Sequence, residues 1–226
     1  MVHARLAALR SGAFDSLVAV IRTATDRSVA RSAPQVPGEI RLVDLGSGPG
    51  FYAAAATAGR SNVAVLVADR SPAALRASRA MLPHAERVVL DLWRPLPLNT
   101  ACADVALNIF APRNAEEYAR IIRPGGTLIV AVPRANHLVE LRDAPGMLSV
   151  PAGKRQQVAA QFAQVGFGVP TVTAVHDSVW VDGEIARHLA EMGPSAHHLS
   201  DSPDKSDQQR QLTVAVDVME FVRVSR

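Results

Sequence analysis

The segment Val43-Asp44-Leu45-Gly46-Ser47-Gly48-Pro49-Gly50-Phe51-Tyr52 constrains the fold more than any other in the chain. A short apolar run, IRLVDL, leads into three glycines in five positions, and the small-residue stretch FYAAAATAG follows. Such a run reads as a buried strand, a tight turn and a helix. Glycine opens the φ > 0 region and removes the Cβ, so backbone N–H groups at the head of the helix can approach a ligand closely. The pattern is G-x-G-x-G. A pyrophosphate-binding fingerprint requires glycine or alanine one residue later. That place is Phe51, so a dinucleotide-binding reading is disfavoured.

The rest of the chain repeats the same alternation. NVAVLVADRS predicts a second strand ending in an acid, PAALRASRAML a helix and ERVVLDL a third strand. ADVALNIF predicts a fourth strand, AEEYARIIRPGG a helix ended by Pro124-Gly125-Gly126, and TLIVAVP a fifth strand. Strands alternating with helices of about ten residues imply βαβ units, hence an α/β fold with a doubly wound, largely parallel sheet and helices on both faces. After Pro133, KRQQVAAQFAQVGF and EIARHLAEMGPS read as helices, and VPTVTAVHDSVWV and QLTVAVDVMEFVRV as strands. LSDSPDKSDQQR reads as a solvated loop. Residues 4–29 show helical apolar spacing broken at Ser11-Gly12, and RSAPQVPGE reads as a linker. The expected organisation is therefore an N-terminal helical segment and linker over residues 1–38, followed by one domain over residues 39–226.

Composition narrows the function. The 226 residues are 48% hydrophobic and 20% charged, enough for a real core. No apolar stretch approaches the roughly 18 residues that span a bilayer, and the N-terminus lacks an apolar signal core. No membrane partner and a cytoplasmic location are expected. Cys102 is the only cysteine, which excludes an internal disulfide and any cysteine-rich zinc site. His197-His198 lack metal-ligand spacing, so no metal is expected. Lys154 and Lys205 are the only lysines, and the remaining basic residues are arginines. They suit either a solvated surface or an RNA face, but with 4% aromatics there is no evident base-stacking platform.

Acids converge on the same edge as the glycine loop. Asp69, followed by Arg70, ends the second strand, where a carboxylate can accept both hydroxyls of a ribose. Asp91-Leu92 ends the third, where an acid can meet an adenine amino group and an apolar side chain can cover the ring. Asp44 can orient the loop or attract an amino group. A nucleoside with an amino-acid tail fits this set at the carboxyl edge of the sheet.

The ordered set of Asp44, the loop Gly46-Ser47-Gly48-Pro49-Gly50, Asp69, Asp91 and RPGG resembles the class I S-adenosylmethionine-dependent methyltransferases. The resemblance implies a Rossmann-like, seven-stranded, mostly parallel sheet with the last strand antiparallel. It also implies S-adenosyl-L-methionine as cofactor, with S-adenosyl-L-homocysteine as product.

Four phrases are similar to a narrower group, the 23S rRNA (guanine-N1)-methyltransferases, which include macrolide-resistance enzymes. These are RLAALRSGAFDSL (residues 5–17), Asn108-Ile109-Phe110-Ala111-Pro112, Pro133-Arg134-Ala135-Asn136-His137-Leu138-Val139-Glu140-Leu141, and Met192-Gly193-Pro194-Ser195-Ala196. The group carries an N-terminal cysteine-rich zinc domain, and this sequence starts where that domain would have ended. Its histidine-tyrosine pair in the first phrase is replaced by Ala13-Phe14.

The resemblance implies rRNA as acceptor. A small-molecule acceptor and a donor-binding module without turnover are the alternatives, and a homodimer is left open. Asn108 and Phe110 stand where methyltransferases hold the target group and flank the donor; for Asn108 an ordinary strand-end turn is the alternative. His137 is the leading candidate for substrate contact or proton acceptance, with Glu140 beside it; a capping role is the alternative for His137. Phe14 and Phe51 either cover the donor or belong to the core.

Overall fold

The computed structural model describes residues 2–32, 38–141, 153–192 and 208–224. Strands β1 (Ile40–Leu45), β2 (Val63–Asp69), β3 (Glu86–Val89), β4 (Ala103–Ile109), β5 (Ile122–Pro133), β6 (Thr171–Val181) and β7 (Arg210–Val222) form one sheet. Its order is β3-β2-β1-β4-β5-β7-β6. The first five strands run parallel, and β7 is antiparallel to both β5 and β6. The chain leaves β1 in one direction for β2 and β3, then returns to place β4 on its other side. That reversal opens a crevice beyond the carboxyl ends of β1 and β4, the usual ligand position in such sheets.

Helices α1 (Val2–Arg10), α2 (Asp15–Ser32), α3 (Phe51–Thr57), α4 (Pro72–Ala77), α5 (Ala115–Ile121), α6 (Lys154–Gln164) and α7 (Gly183–Glu191) cover the two faces. Leu9, Leu17, Ile21, Ala53 and Leu189 from α1, α2, α3 and α7 pack with Leu42, Leu107, Ile129 and Val218. On the opposite face, Tyr118 of α5 and Phe162 of α6 pack with Val43, Ala106, Leu128 and Phe221. Neighbouring strand residues such as Leu42 and Val43 therefore serve different layers, which is why these strands are apolar at nearly every position. The N-terminal helices share one hydrophobic cluster with the sheet.

At the opposite end of the sheet, the fully buried Asp104 is clamped by Arg41 (Nε 3.0 Å) and Arg123 (Nε 2.6 Å). Burial opposes its ionisation, but hydrogen bonds from both arginines outweigh it and hold the carboxyl below its usual range. This network ties β1, β4 and β5 together far from the crevice.

Some boundaries differ from the sequence expectation. Helix α5 ends at Ile121, before Pro124-Gly125-Gly126, and Ile122 is already extended and paired with Ala103. β-branched Ile122 suits the strand, and the register shift between Ala103 and Val105, with Gly125 at φ 76°, absorbs RPGG into β5. Helix α4 tightens into a 3₁₀ turn at Ser78–Ala80. Asp91 stands two residues beyond the end of β3 instead of on it. The phrase Met192–Ala196 lies, after Met192, outside the described residues, as do His197-His198 and most of the 199–210 loop. No helix of the described residues is long and apolar enough to cross a membrane.

Candidate active site

The glycine loop is fastened to its neighbours by its own backbone. The N–H groups of Gly46 and Ser47 both donate to the Ala68 carbonyl of β2, at 2.8 and 3.0 Å, and Gly50 N–H closes a turn on the Ser47 carbonyl. Ser47 is buried, and its hydroxyl turns back to the Gly48 carbonyl. Asp69 bridges strand end and loop. One carboxylate oxygen accepts from Gly48 N–H and the other from Ser71 N–H, each at 2.8 Å. These bonds hold the carboxylate between the loop and the turn that starts α4. Arg70, beside it, is exposed.

The back of the loop is tightly packed. A Cβ on Gly46 would stand 2.4 Å from Ala111 Cβ and 3.2 Å from Leu92 Cδ1, so the residues after β3 and β4 close directly on this glycine. Asp91 accepts from Trp93 N–H at 3.0 Å, which fixes the turn that presents Leu92.

Asp44 is only 2% exposed, and its Oδ2 has no hydrogen-bond partner among the described residues. Burial, followed by the nearby negative charge of Asp69, pushes its carboxyl up to about 7. Tyr52 is buried at the start of α3, its hydroxyl also without a partner. Orphaned buried polar atoms of this kind are expected where a ligand supplies the missing contacts. A donor with an ammonium group and an adenosine fits both the orphaned atoms and the glycine-rich loop.

An aromatic wall faces the loop. Phe110 stacks on His137, ring centroids 5.5 Å apart and planes 13° apart. Phe14 and Tyr52 each lie 6.4 Å from Phe110, and Phe51 meets Tyr52 edge-on. Phe110 and Leu138 both have φ near +50°, a strained region for bulky side chains that recurs at functional sites. Phe14 is buried within this cluster.

The segment after β5 is strapped to β7. Leu138 N–H donates to the Thr213 carbonyl at 2.7 Å, and His137 Nδ1 accepts from Ala215 N–H at 3.3 Å. Both carboxylate oxygens of Glu140 are engaged by Thr213, one by its N–H and one by its hydroxyl. Asn108 is fully buried, and its amide nitrogen braces the Leu45 and Pro112 carbonyls and the Tyr118 hydroxyl. Thus the glycine loop, Asp69, Phe14, Phe110 and His137 meet at one crevice. Asn108 lies beneath it and Glu140 at its flank. Two further residues there, Arg5 and Tyr52, received no individual role from the sequence, although each sits inside a phrase that was singled out. A separate cleft of about 360 Å³, lined by Trp93, Arg113, Asn114, Gln161 and Gln164, opens over α5 and α6 and shares no residue with the glycine loop.

No family model matches the chain. The 23S rRNA (guanine(748)-N(1))-methyltransferase of Streptomyces fradiae is 38% identical over 199 residues, 88% of this chain and 69% of that protein. A protein of Micromonospora griseorubida named as a 23S rRNA (guanine-N(1)-)-methyltransferase is 34% identical over 233 residues, spanning 100% of this chain and 78% of its own. The chain belongs to the 23S rRNA (guanine-N1)-methyltransferase family. It is a methyltransferase, and S-adenosylmethionine is its methyl donor. The fold agrees: an S-adenosylmethionine-dependent O-methyltransferase of Thermotoga maritima superimposes with a TM-score of 0.54 at 13% identity, over 89% of this chain and 65% of that one.

Proposed function

We propose that the enzyme transfers the methyl group of S-adenosylmethionine to N1 of a guanine in 23S rRNA. The observation that carries this reading is the coincidence, at one crevice, of the glycine loop and the His137 segment within a chain similar to such enzymes over nearly its whole length. The donor supplies an activated methyl group on a sulfonium, so the protein's task is chiefly alignment.

In this reading the glycine loop receives the donor's tail, Asp44 meets its ammonium and Asp69 its ribose hydroxyls. Asp91 and Leu92 border the adenine. Phe14 and Phe110 exclude water from the transfer. The bond from Ala215 N–H to Nδ1 and the stacking on Phe110 fix the His137 ring, which is the group that contacts the acceptor base in this reading. Glu140 and Asn108 act as positioning residues, one strapping the His137 segment to β7 and the other bracing the ends of β1 and β4.

The test is transfer of tritiated methyl to 23S rRNA and, in parallel, to a metabolite extract. Label at guanine N1 is expected. Label confined to small molecules, or binding without transfer, overturns the rRNA reading. The same reading puts the enzyme's work in the cytoplasm. It also predicts that expression in a susceptible host alters resistance to ribosome-targeting antibiotics, which growth assays read. Any homodimer is read by light scattering.

His137→Ala should lower methyl transfer at least about tenfold through lost alignment, while S-adenosylhomocysteine binding and thermal unfolding remain close to wild type. Undiminished turnover would end the substrate role of His137.

A further inference from the structure

Arg5 reaches from α1 across the glycine loop. Its guanidinium carbon, Nε and Nη1 lie 3.5, 3.6 and 3.7 Å from the point where a Cβ on Gly48 would stand. The cation is therefore laid against the middle of the loop. Its Nε is buried without a hydrogen-bond partner among the described residues, as are Asp44 Oδ2 and Tyr52 Oη. The three groups share one electrostatic neighbourhood, because the charge of Arg5 opposes the upward displacement of both the Asp44 carboxyl and the Tyr52 hydroxyl.

A half-buried cation with a buried Nε, a buried acid and a buried hydroxyl, each with an unspent bond, are costly unless something satisfies them together. The chemistry that does so is a zwitterion. A carboxylate suits the planar fork of an arginine, and an ammonium suits the acid. The donor's amino-acid tail carries both.

We infer that Arg5 binds the α-carboxylate of the donor, so that the N-terminal helix completes the donor site. This rests on the donor reading above and adds a selectivity to it. Adenosine thioethers lacking the carboxylate lose this contact, and the enzyme discriminates against them through a residue outside the nucleotide-binding sheet.

Calorimetry on the full chain tests the assignment with S-adenosylhomocysteine, its decarboxylated analogue and 5′-deoxy-5′-methylthioadenosine, which lacks the whole amino-acid tail. Wild type should bind the decarboxylated analogue about 10- to 100-fold more weakly than S-adenosylhomocysteine, the scale of a charge-assisted contact. Arg5→Gln should lose S-adenosylhomocysteine affinity by a similar factor, with affinity for the two carboxylate-free ligands unchanged, and Arg5→Lys should recover part of the loss. Equal weakening of all three ligands in Arg5→Gln would make Arg5 merely a support of the loop, and unchanged S-adenosylhomocysteine binding would refute the contact outright. Wild type that binds none of the three would instead refute the donor reading itself.

Discussion

Asp44→Asn should raise the stability of the protein at pH 8 while weakening donor binding about 10- to 100-fold. Burial, and then the charge of Asp69, lifts the Asp44 carboxyl from its ordinary 3.8 to about 7. The folded chain thus keeps a proton that the unfolded chain has already released between about pH 4 and pH 7. Stability falls as pH rises through that window and reaches its lower plateau above about pH 7. Asparagine has nearly the same shape and never ionises, so it removes the penalty. At about 1.4 kcal/mol for each tenfold change in proton affinity, the gain at pH 8 is at most about 4 kcal/mol, and it disappears near pH 4. The loss in binding follows because a neutral amide replaces the acid that faces the donor's ammonium. In the wild type the same pairing should make donor binding release protons near pH 7. Urea unfolding at several pH values and calorimetry in two buffers measure both effects. Wild-type and variant stabilities that run parallel from pH 5 to pH 8 would refute the account of Asp44.

Gly46→Ala should destabilise the fold by roughly 2–5 kcal/mol, and two separable terms make up the loss. Gly46 has φ +82°, and a left-handed conformation costs an ordinary residue about 1–2 kcal/mol. The new methyl would also stand 2.4 Å from Ala111 Cβ, and forcing such a contact costs about 1–3 kcal/mol. A double-mutant cycle distinguishes them. Adding Ala111→Gly should return the contact term and leave the conformational one. Gly59→Ala is the control, because Gly59 has φ +78° with nothing within 4 Å of an added methyl, so only the conformational cost is expected there. Denaturant unfolding of the four members of the cycle and of Gly59→Ala reads the terms. Absence of coupling between positions 46 and 111 would mean that the loop moves aside, and that its close packing is not what fixes its shape.

The sequence made the parallel half of the sheet readable because each βαβ unit announces itself locally, by an apolar run, a turn and a helix. The antiparallel end was expected only through resemblance, since no periodicity distinguishes the direction of β7 from that of its neighbours. The end of α5 is ambiguous in sequence for a related reason: Ile121 and Ile122 are both apolar, and pairing with Ala103 decides which element owns the second. At the site, the glycine loop and Asp69 were legible because backbone freedom and strand-end position are properties of short segments. Arg5 was not, since its approach to Gly48 depends on how α1 lies over the sheet, and nothing in the sequence distinguishes it from Arg10 on the same helix. Glu140 shows the same limit. Beside His137 it looks like a second catalytic group, and only the fold brings Thr213 to both of its oxygens.

Among the described residues, strand β7 follows the other six strands yet sits between β5 and β6 in the sheet, and its Thr213 and Ala215 hold the segment that carries His137. While the protein is being synthesised, β5 and β6 must wait with open edges until residues 210–222 emerge, and an enzyme of this design cannot modify anything before that. Interrupted synthesis would leave inactive chains whose exposed strands invite self-association, so loss of these few residues should abolish catalysis and solubility together.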